Sequence, residues 1–198
     1  MLYKIIKIFF GPSVKFLWLG KIKGLENVPQ KKSFIVCSNH SSYLDFFLLS
    51  AVIPRKVSFL AAEVFFNSKL WWPLVKSTGQ IKVDRKVKDK SQVYKEVDNL
   101  FEKGGVLGIF PEGTRSRSGK MGKGHIGAVK FAYKYKVPIV PIGITGAYNA
   151  LPPHKKFPKF KKIDMNIDTE FYVDTDDYEK ETVKLMGIIF KLIEHKHE

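Results

Sequence analysis

Residues 34–49 read FIVCSNHSSYLDFFLL and contain the change from strand to helix on which the rest of the predicted fold depends. The apolar run 34–37 is typical of a buried strand, which we expect to end at about Asn39. A helix is predicted to begin at Ser42, whose hydroxyl can accept hydrogen bonds from the first free backbone N–H groups. His40 therefore lies in the turn between the two elements.

His40 and Asp45 are the first candidate pair for catalysis. Asp45 is placed in the first helical turn, where the positive helix end favours an ionised carboxylate. An ionised Asp that folds back to a His holds one ring nitrogen protonated and directs the other outward as a general base. This stretch alone also allows an ordinary loop histidine beside a solvated first-turn acid, because His and Asp at this spacing are common by chance.

Composition narrows the class of protein. The chain has 198 residues, 44% of them hydrophobic and 14% aromatic, which suits a single globular domain. A net charge of +15 predicts an anionic partner: nucleic acid, a membrane surface, an acidic carrier protein or a phosphorylated substrate. The single cysteine, Cys37, excludes an internal disulfide, and its apolar surroundings favour a core thiol over a nucleophile.

Residues 2–19 are mostly apolar, with their lysines in one narrow stripe when the segment is projected as a helix. A wide apolar face with a basic strip is typical of a helix lying in the bilayer interface. Packing on the protein's own core is the alternative, and a transmembrane span is disfavoured because lysines are costly at its centre. The residues predicted to contact the membrane here are Lys4, Lys7, Phe9, Phe10 and Trp18.

Residues 63–75 form an aromatic, helix-like stretch. Its Phe65-Phe66 and Trp71-Trp72 pairs exceed what one side of a small core needs, and tryptophan favours the membrane interface. We predict a second membrane contact at these four residues, with a core helix as the alternative.

The remaining chain alternates between strands and helices. Strands are predicted over 57–61, 106–110, 137–142 and 165–173, with a short strand and turn over 22–28 and a strand running into a charged turn over 79–85. Helices are predicted over 43–52, 88–103 and 126–136, with a last helix capped by 174–177 and ending near 193. Residues 151–162 are predicted to be an irregular basic loop. This order predicts one α/β domain over 21–198, with a largely parallel mixed sheet flanked by helices, and an amphipathic membrane-binding helix over 1–20.

Functional groups in an open α/β sheet lie on loops at the carboxyl ends of strands. One such loop carries Glu112, Gly113 and Arg115, and another ends in Arg85. An arginine fork suits a phosphate group, glycine allows close approach of a ligand, and a carboxylate can hold a hydroxyl. With the His40 base, these groups predict a transferase that activates an alcohol on a phosphorylated acceptor. An exposed Glu112–Arg115 ion pair is the plain alternative.

Four segments resemble the ordered motifs of the glycerolipid acyltransferases, over about residues 20–145. They are Asn39-His40-x4-Asp45, Gly79-x-Ile81-x-Val83-Asp84-Arg85, Phe110-Pro-Glu-Gly-Thr-Arg-Ser116 and Val137-Pro-Ile-Val-Pro-Ile142. The branch they most resemble is the 1-acyl-glycerol-3-phosphate acyltransferases.

The resemblance implies roles for the motif residues. His40 would take the proton from the acceptor's glycerol hydroxyl, and Asp45 would orient it. Glu112 would position the glycerol, and Arg115 and Arg85 would bind the phosphate. Backbone N–H groups near Gly113 or Thr114 are candidates for the oxyanion site.

The resemblance also implies the substrates. The sn-2 hydroxyl of lysophosphatidic acid would attack an acyl-CoA or acyl carrier protein thioester, yielding phosphatidic acid for phospholipid biosynthesis, with no cofactor and no metal. We expect a peripheral or monotopic protein at the cytoplasmic face of the cell membrane. Relatives often carry a basic residue just before the position of Glu63, where this chain has Ala61 and Ala62. Lys82 or Lys123 would then supply the missing cation, or the acceptor has another head group.

Other classes fit less well. A non-catalytic basic protein that binds membranes or nucleic acid would explain the charge but not the three converging loops. No zinc-finger, helix-turn-helix or RNA-sheet motif is visible, so nucleic acid is not expected as a partner. Gly-x-Ser-x-Gly is absent, which disfavours a serine hydrolase.

Overall fold

The computed structural model describes residues 11–69, 72–84, 87 and 89–194. The strands are β1 Leu19–Lys23, β2 Phe34–Ser38, β3 Val57–Ala62, β4 Ile81–Val83, β5 Val106–Ile109, β6 Ile139–Thr145 and β7 Ile163–Ile167. The helices are α1 over 11–18, α2 Tyr43–Val52, α3 Glu63–Phe66, α4 Trp72–Ser77, α5 Ser91–Glu102, α6 Gly127–Tyr135, α7 Ala147–Ala150 and α8 Tyr178–Glu194.

The strands form one sheet in the order β1-β7-β6-β2-β5-β3-β4. Neighbours from β6 through β4 pair in parallel, whereas β7 runs antiparallel to β6 and parallel to β1. The predicted α/β domain with a largely parallel mixed sheet is therefore confirmed. The continuous apolar runs that predicted this sheet arise because its central strands are buried on both faces.

Alternate residues of β2 supply two separate cores. Phe34 and Val36 belong to the core that lies beneath α2, whereas Ile35 and Cys37 belong to the core beneath α5, α6 and α8. Burial raises the pKa of the Cys37 thiol well above its ordinary value, so the group stays neutral and unreactive.

One edge of the sheet collects the loops that matter. The parallel strands from β6 to β4 all end there, and we call it the carboxyl edge. Thr145 at the end of β6 pairs with Asp164 at the start of β7, and Ile163 beside it pairs with Leu19 at the start of β1. The end of α1 and the segment 146–162 therefore lie at the same edge as the loops that follow β2 and β5.

Several predicted bounds differ from the structure. The short strand predicted to begin at residue 22 begins earlier, as Leu19–Lys23, and the predicted turn after it is the 3₁₀ turn Leu25–Asn27. The helix-like stretch 63–75 contains two short helices: α3 ends at Phe66 with Asn67, a weak helix former, as its C-cap, and α4 begins at Trp72. The short helix α7 was not predicted, and it begins after Gly146 at φ +91°.

The predicted N-terminal amphipathic helix falls mostly outside the described residues, as do Lys4, Lys7, Phe9, Phe10, Trp71 and Arg85. Its last part, 11–18, is helical. Over the described ranges, no helix combines the length and apolar character needed to cross a bilayer.

Candidate active site

The turn after β2 is built as the sequence predicts. Ser42 is the N-cap of α2, with an extended backbone, and its hydroxyl accepts a hydrogen bond from the Leu44 N–H at 3.1 Å. The Asp45 side chain completes a capping box with it. The helix start is thus determined by local hydrogen bonds, and it fixes where Asp45 points.

Asp45 and His40 form a buried, well-oriented pair. His40 Nδ1 lies 2.9 Å from Asp45 Oδ2, and the Asp45 side chain is fully buried. The same Oδ2 accepts from the backbone N–H groups of Ser41 at 2.7 Å and Ser42 at 2.8 Å. Because Oδ2 is an acceptor, the hydrogen bond assigns the proton to Nδ1 and leaves the lone pair of Nε2 free. A solvated first-turn acid is excluded by this burial.

Aromatic stacking fixes the plane of the imidazole ring. His40 stacks on Phe110 with ring centroids 3.9 Å apart and an interplanar angle of 11°. Phe110 stacks in turn on Phe59 of β3, at 5.5 Å and 15°. The His40 carbonyl also accepts from Ser116 N–H at 2.8 Å. Ring and backbone are both held by the loop that follows β5.

Glu112 joins three pieces of chain through its buried carboxylate. Oε1 accepts from the His40 N–H at 2.7 Å, and Oε2 accepts from the Gly122 N–H at 2.7 Å. Each of these oxygens can still accept a second hydrogen bond, so a contact with the acceptor's glycerol is still allowed and stays a prediction. The geometry itself assigns Glu112 a positioning role that sequence reasoning missed, because its partners are backbone groups 72 and 10 positions away.

Arg115 does not form the exposed ion pair that was the plain alternative. Its guanidinium carbon lies 3.6 Å from the centroid of the Tyr43 ring, a close cation–π contact. Its Nη1 is buried and, over the described part of the chain, has no hydrogen-bond partner. A buried donor without a partner costs about 1–3 kcal/mol, so this group is poised for an acceptor from a ligand.

Gly113 is explained by the backbone conformation of the turn, without reference to a ligand. It has φ +67°, and an added Cβ would lie 3.3 Å from the His125 ring. Its N–H donates to the Phe110 carbonyl at 2.9 Å. The Gly113 N–H is thus used within the turn, and an oxyanion site near Gly113 or Thr114 stays a prediction.

Asn39 is a positioning residue that the sequence analysis passed over. Its amide donates to the Ile144 carbonyl at 2.9 Å and accepts from the Ile144 N–H at 2.8 Å. This extends the β2–β6 pairing past its last backbone pair, Ser38 with Ile142. The sequence offered one indication of this role: Asn39 lies at the predicted end of the strand, directly before His40, where the backbone pairing of the strand stops.

The other predicted site residues are spread along the carboxyl edge. Lys82 on β4 pairs with Glu63 at 3.0 Å, and Phe65 contacts the Tyr43 ring edge-on at 6.2 Å. Trp72 is half exposed. Trp18 is partly buried against the core, and membrane contact by these aromatic residues stays a prediction.

The comparison with known proteins decides the family. A family model described as Acyltransferase matches residues 20–145, which contain the turn, the pair and the Glu112 loop. The chain belongs to the acyltransferase family. The predicted resemblance to glycerolipid acyltransferases is thereby confirmed.

Relatives within this family carry consistent names. A chloroplast 1-acyl-sn-glycerol-3-phosphate acyltransferase from Brassica napus is 31% identical over 75% of this chain and 43% of its own length. The Bacillus subtilis protein of that name is 28% identical over 69% of this chain and 67% of its own length. This acyltransferase chain spans about half the length of several such relatives, between 42% and 57%.

A solved structure shares the fold. The crystal structure of the 1-acyl-sn-glycerophosphate acyltransferase from Thermotoga maritima matches with a TM-score of 0.82, covering 96% of this chain and 77% of that one. Its sequence identity is 23%, so the likeness concerns the fold.

The environment of Glu112 makes one stability prediction for this acyltransferase. Burial, opposed by its two backbone hydrogen bonds, raises the pKa of the Glu112 carboxyl above its ordinary value of 4.5. The folded state therefore binds the proton more tightly than the unfolded state, and this contribution to stability is lost as pH rises through the raised pKa.

Glu112→Gln should destabilise the protein by about 1–3 kcal/mol, because an amide N–H₂ would face a backbone N–H. The gap between wild type and variant should narrow as pH rises above 4.5. Urea unfolding between pH 4.5 and 8 measures it. Glu102→Gln, at the exposed end of α5, is the charge-matched control. A gap that is constant or widens with pH would contradict the assigned burial effect.

Proposed function

We propose that this protein transfers an acyl chain from an acyl-CoA or acyl carrier protein thioester to the sn-2 hydroxyl of lysophosphatidic acid, forming phosphatidic acid. The observation that carries the proposal is the His40–Asp45 pair, in which a fully buried carboxylate leaves Nε2 as the free base. Family membership and the names of the relatives support the same reaction.

Each side chain has a defined part in the proposed reaction. His40 Nε2 takes the hydroxyl proton as the acceptor oxygen attacks the thioester carbonyl. Asp45 stabilises the imidazolium that forms. The tetrahedral intermediate collapses, the C–S bond breaks, and the departing thiolate takes the proton from His40. No acyl-enzyme intermediate, cofactor or metal is needed.

Arg115 is the best supported phosphate ligand. The ring of Tyr43 holds its guanidinium plane, and the buried Nη1 lacks a protein acceptor in the described residues. A phosphate oxygen would satisfy this donor through a charge-assisted hydrogen bond. Arg85 keeps the same role as a prediction, since it lies outside the described residues.

Lys82 is well placed to replace the cation that relatives often carry before the position of Glu63. In the β3–β4 register Ala61 pairs directly with Lys82, so both side chains project from the same face of the sheet. Neighbouring strands lie about 4.8 Å apart, a distance that a lysine side chain spans. Glu63 directly follows β3, and its ion pair with Lys82 holds the lysine ammonium near the end of that strand.

A head-group panel tests the proposed function. Purified protein is given acyl-CoA or acyl carrier protein thioesters with lysophosphatidic acid, lysophosphatidylglycerol, lysophosphatidylcholine or lysophosphatidylethanolamine, and released thiol is measured. Lysophosphatidic acid should be preferred, because only its terminal phosphomonoester offers a full dianion to Arg115. Transfer to another head group would replace the assigned acceptor, and thiol release with none of them would refute the proposal.

Lys82→Ala in the same panel tests the displaced cation. The variant should raise KM for lysophosphatidic acid with little change in kcat, and Ala61→Lys added to Lys82→Ala should restore it. Lys95→Ala, on the exposed face of α5, is the control. An unchanged KM would remove Lys82 from the phosphate site while leaving the reaction assigned.

A further inference from the structure

Segment 151–162, between α7 and β7, forms a strongly basic stretch at the carboxyl edge. It contains five lysines, and the whole interval 113–163 holds twelve Lys and Arg residues with no Asp or Glu. Residues 154–162 are all exposed. Two of them are aromatic: the side chains of Phe157 and Phe160 are 84% and 74% exposed. Large apolar side chains facing water within a lysine cluster mark an interaction surface.

The segment is anchored to the end of α1. Trp18 stacks on Phe160 with centroids 5.9 Å apart, and its indole N–H donates to the Lys159 carbonyl at 2.9 Å. Lys162 Nζ donates to the Phe16 carbonyl at 2.8 Å, and the Phe16 ring is 81% exposed. Trp18 itself packs on the core. The partly buried Trp18 thus fixes the exposed aromatic residues to the domain.

We name the result the basic aromatic surface. Its members are Phe16, Lys155, Lys156, Phe157, Lys159, Phe160 and Lys161. Exposed phenylalanines beside lysines suit the boundary between head groups and acyl chains of an anionic bilayer. Each lysine near such a surface strengthens binding by about fivefold.

We propose that the basic aromatic surface docks this protein on an anionic lipid bilayer with the carboxyl edge facing the membrane. The surface is joined to the site region, because the Tyr148 hydroxyl of α7 donates to the Arg117 carbonyl at 2.9 Å, next to the Arg115 loop. Docking in this orientation presents the His40 edge of the sheet to lipids. The proposal rests on the proposed function only in making the acceptor a lipid.

An acidic carrier protein is the competing occupant, since it would also be attracted by the lysines. The aromatic residues favour lipid, because the rings of Phe16, Phe157 and Phe160 are largely exposed and the attraction of an acidic protein to lysines does not require them. Insertion into an interface needs only exposed rings and a basic surround.

A fluorescent label reports docking at the surface itself. Cys37 is buried, so Phe157→Cys can be labelled with an environment-sensitive dye in the folded full-length chain. Vesicles of phosphatidylglycerol and phosphatidylcholine, without either substrate, should shift its emission to the blue. The label at Phe190→Cys on the half-exposed face of α8 is the control and should not respond. An unresponsive label at 157, or equal responses at both positions, would overturn the proposal.

Charge-matched variants separate the surface from net charge. Lys155, Lys156, Lys159 and Lys161 changed together to Gln should weaken vesicle binding by about 1,000-fold, since each lysine contributes about fivefold. The same changes at Lys95, Lys103, Lys180 and Lys191, all exposed, should have a much smaller effect. Equal losses would show that overall charge suffices and overturn the proposal.

Two further readouts identify the occupant and separate this proposal from the reaction. If the surface variant binds vesicles normally but loses binding to an acyl carrier protein, the lipid assignment falls and the carrier takes its place. Acyl transfer to a short-chain monomeric acceptor should be unchanged in this variant. Loss of that transfer would show damage to the site and contradict a docking role.

Discussion

Changing His40 to Ala is expected to lower the rate of acyl transfer by about 10²- to 10⁴-fold, the range in which positioned general bases act. The variant should fold, because the contacts that hold the turn use the backbone of residue 40: its N–H bonds Glu112 and its carbonyl bonds the Ser116 N–H. The loss should appear in kcat, because the base acts in the chemical step.

His154→Ala is the matched control for this experiment, assayed with a short-chain monomeric acceptor. His154 is exposed in the loop after α7 and makes no part of the pair with Asp45. Thermal unfolding and circular dichroism of both variants separate lost chemistry from lost folding. A His40→Ala protein that folds and retains wild-type turnover would remove the assigned base.

Asp45→Asn and Asp45→Ala should have different effects, and the contrast tests how the base is oriented. Asp45 Oδ2 takes three hydrogen bonds, whereas Oδ1 is buried with no partner among the described residues. An asparagine can place its carbonyl oxygen at the Oδ2 position. The Asn variant should keep the His40 tautomer and the turn, and lose the negative charge that stabilises the imidazolium.

Asp45→Asn should therefore reduce kcat strongly while costing little stability. Asp45→Ala removes the acceptor as well and leaves the buried N–H groups of Ser41 and Ser42 unpaired, at about 1–3 kcal/mol for each such group. The free energy of unfolding should fall by about 2–6 kcal/mol. Steady-state kinetics and urea unfolding of both variants measure the two effects. Equal stability of the two variants would show that Oδ2 does not hold the turn.

The sequence predicts the local parts of the site well. The strand 34–37, the cap at Ser42 and the position of Asp45 follow from apolar runs and short-range hydrogen bonds, and all are present in the structure. Element bounds at turns were less accurate, as at Asn67, since competing short-range hydrogen bonds differ little in free energy.

The roles of Glu112 and Arg115 could not be read from the sequence. A carboxylate beside an arginine in one loop predicts an ion pair or a ligand contact, because short spacing is all that the sequence shows. The structure instead gives Glu112 the backbone amides of His40 and Gly122, and gives Arg115 the ring of Tyr43. Both sets of partners exist only after β2 and β5 have paired.

The basic aromatic surface likewise depends partly on local sequence and partly on tertiary structure. The sequence alone determined that 151–162 is basic and irregular, as it determined the α/β class and the strand-to-helix turn, whereas it left the His40–Asp45 pair as one of two alternatives. Only the tertiary structure decided that this segment lies against Trp18, that Ala61 faces Lys82, and that Glu112 holds the turn after β2. The physical reason is that periodicity and capping act within a few residues, whereas register and packing join segments that are distant in sequence.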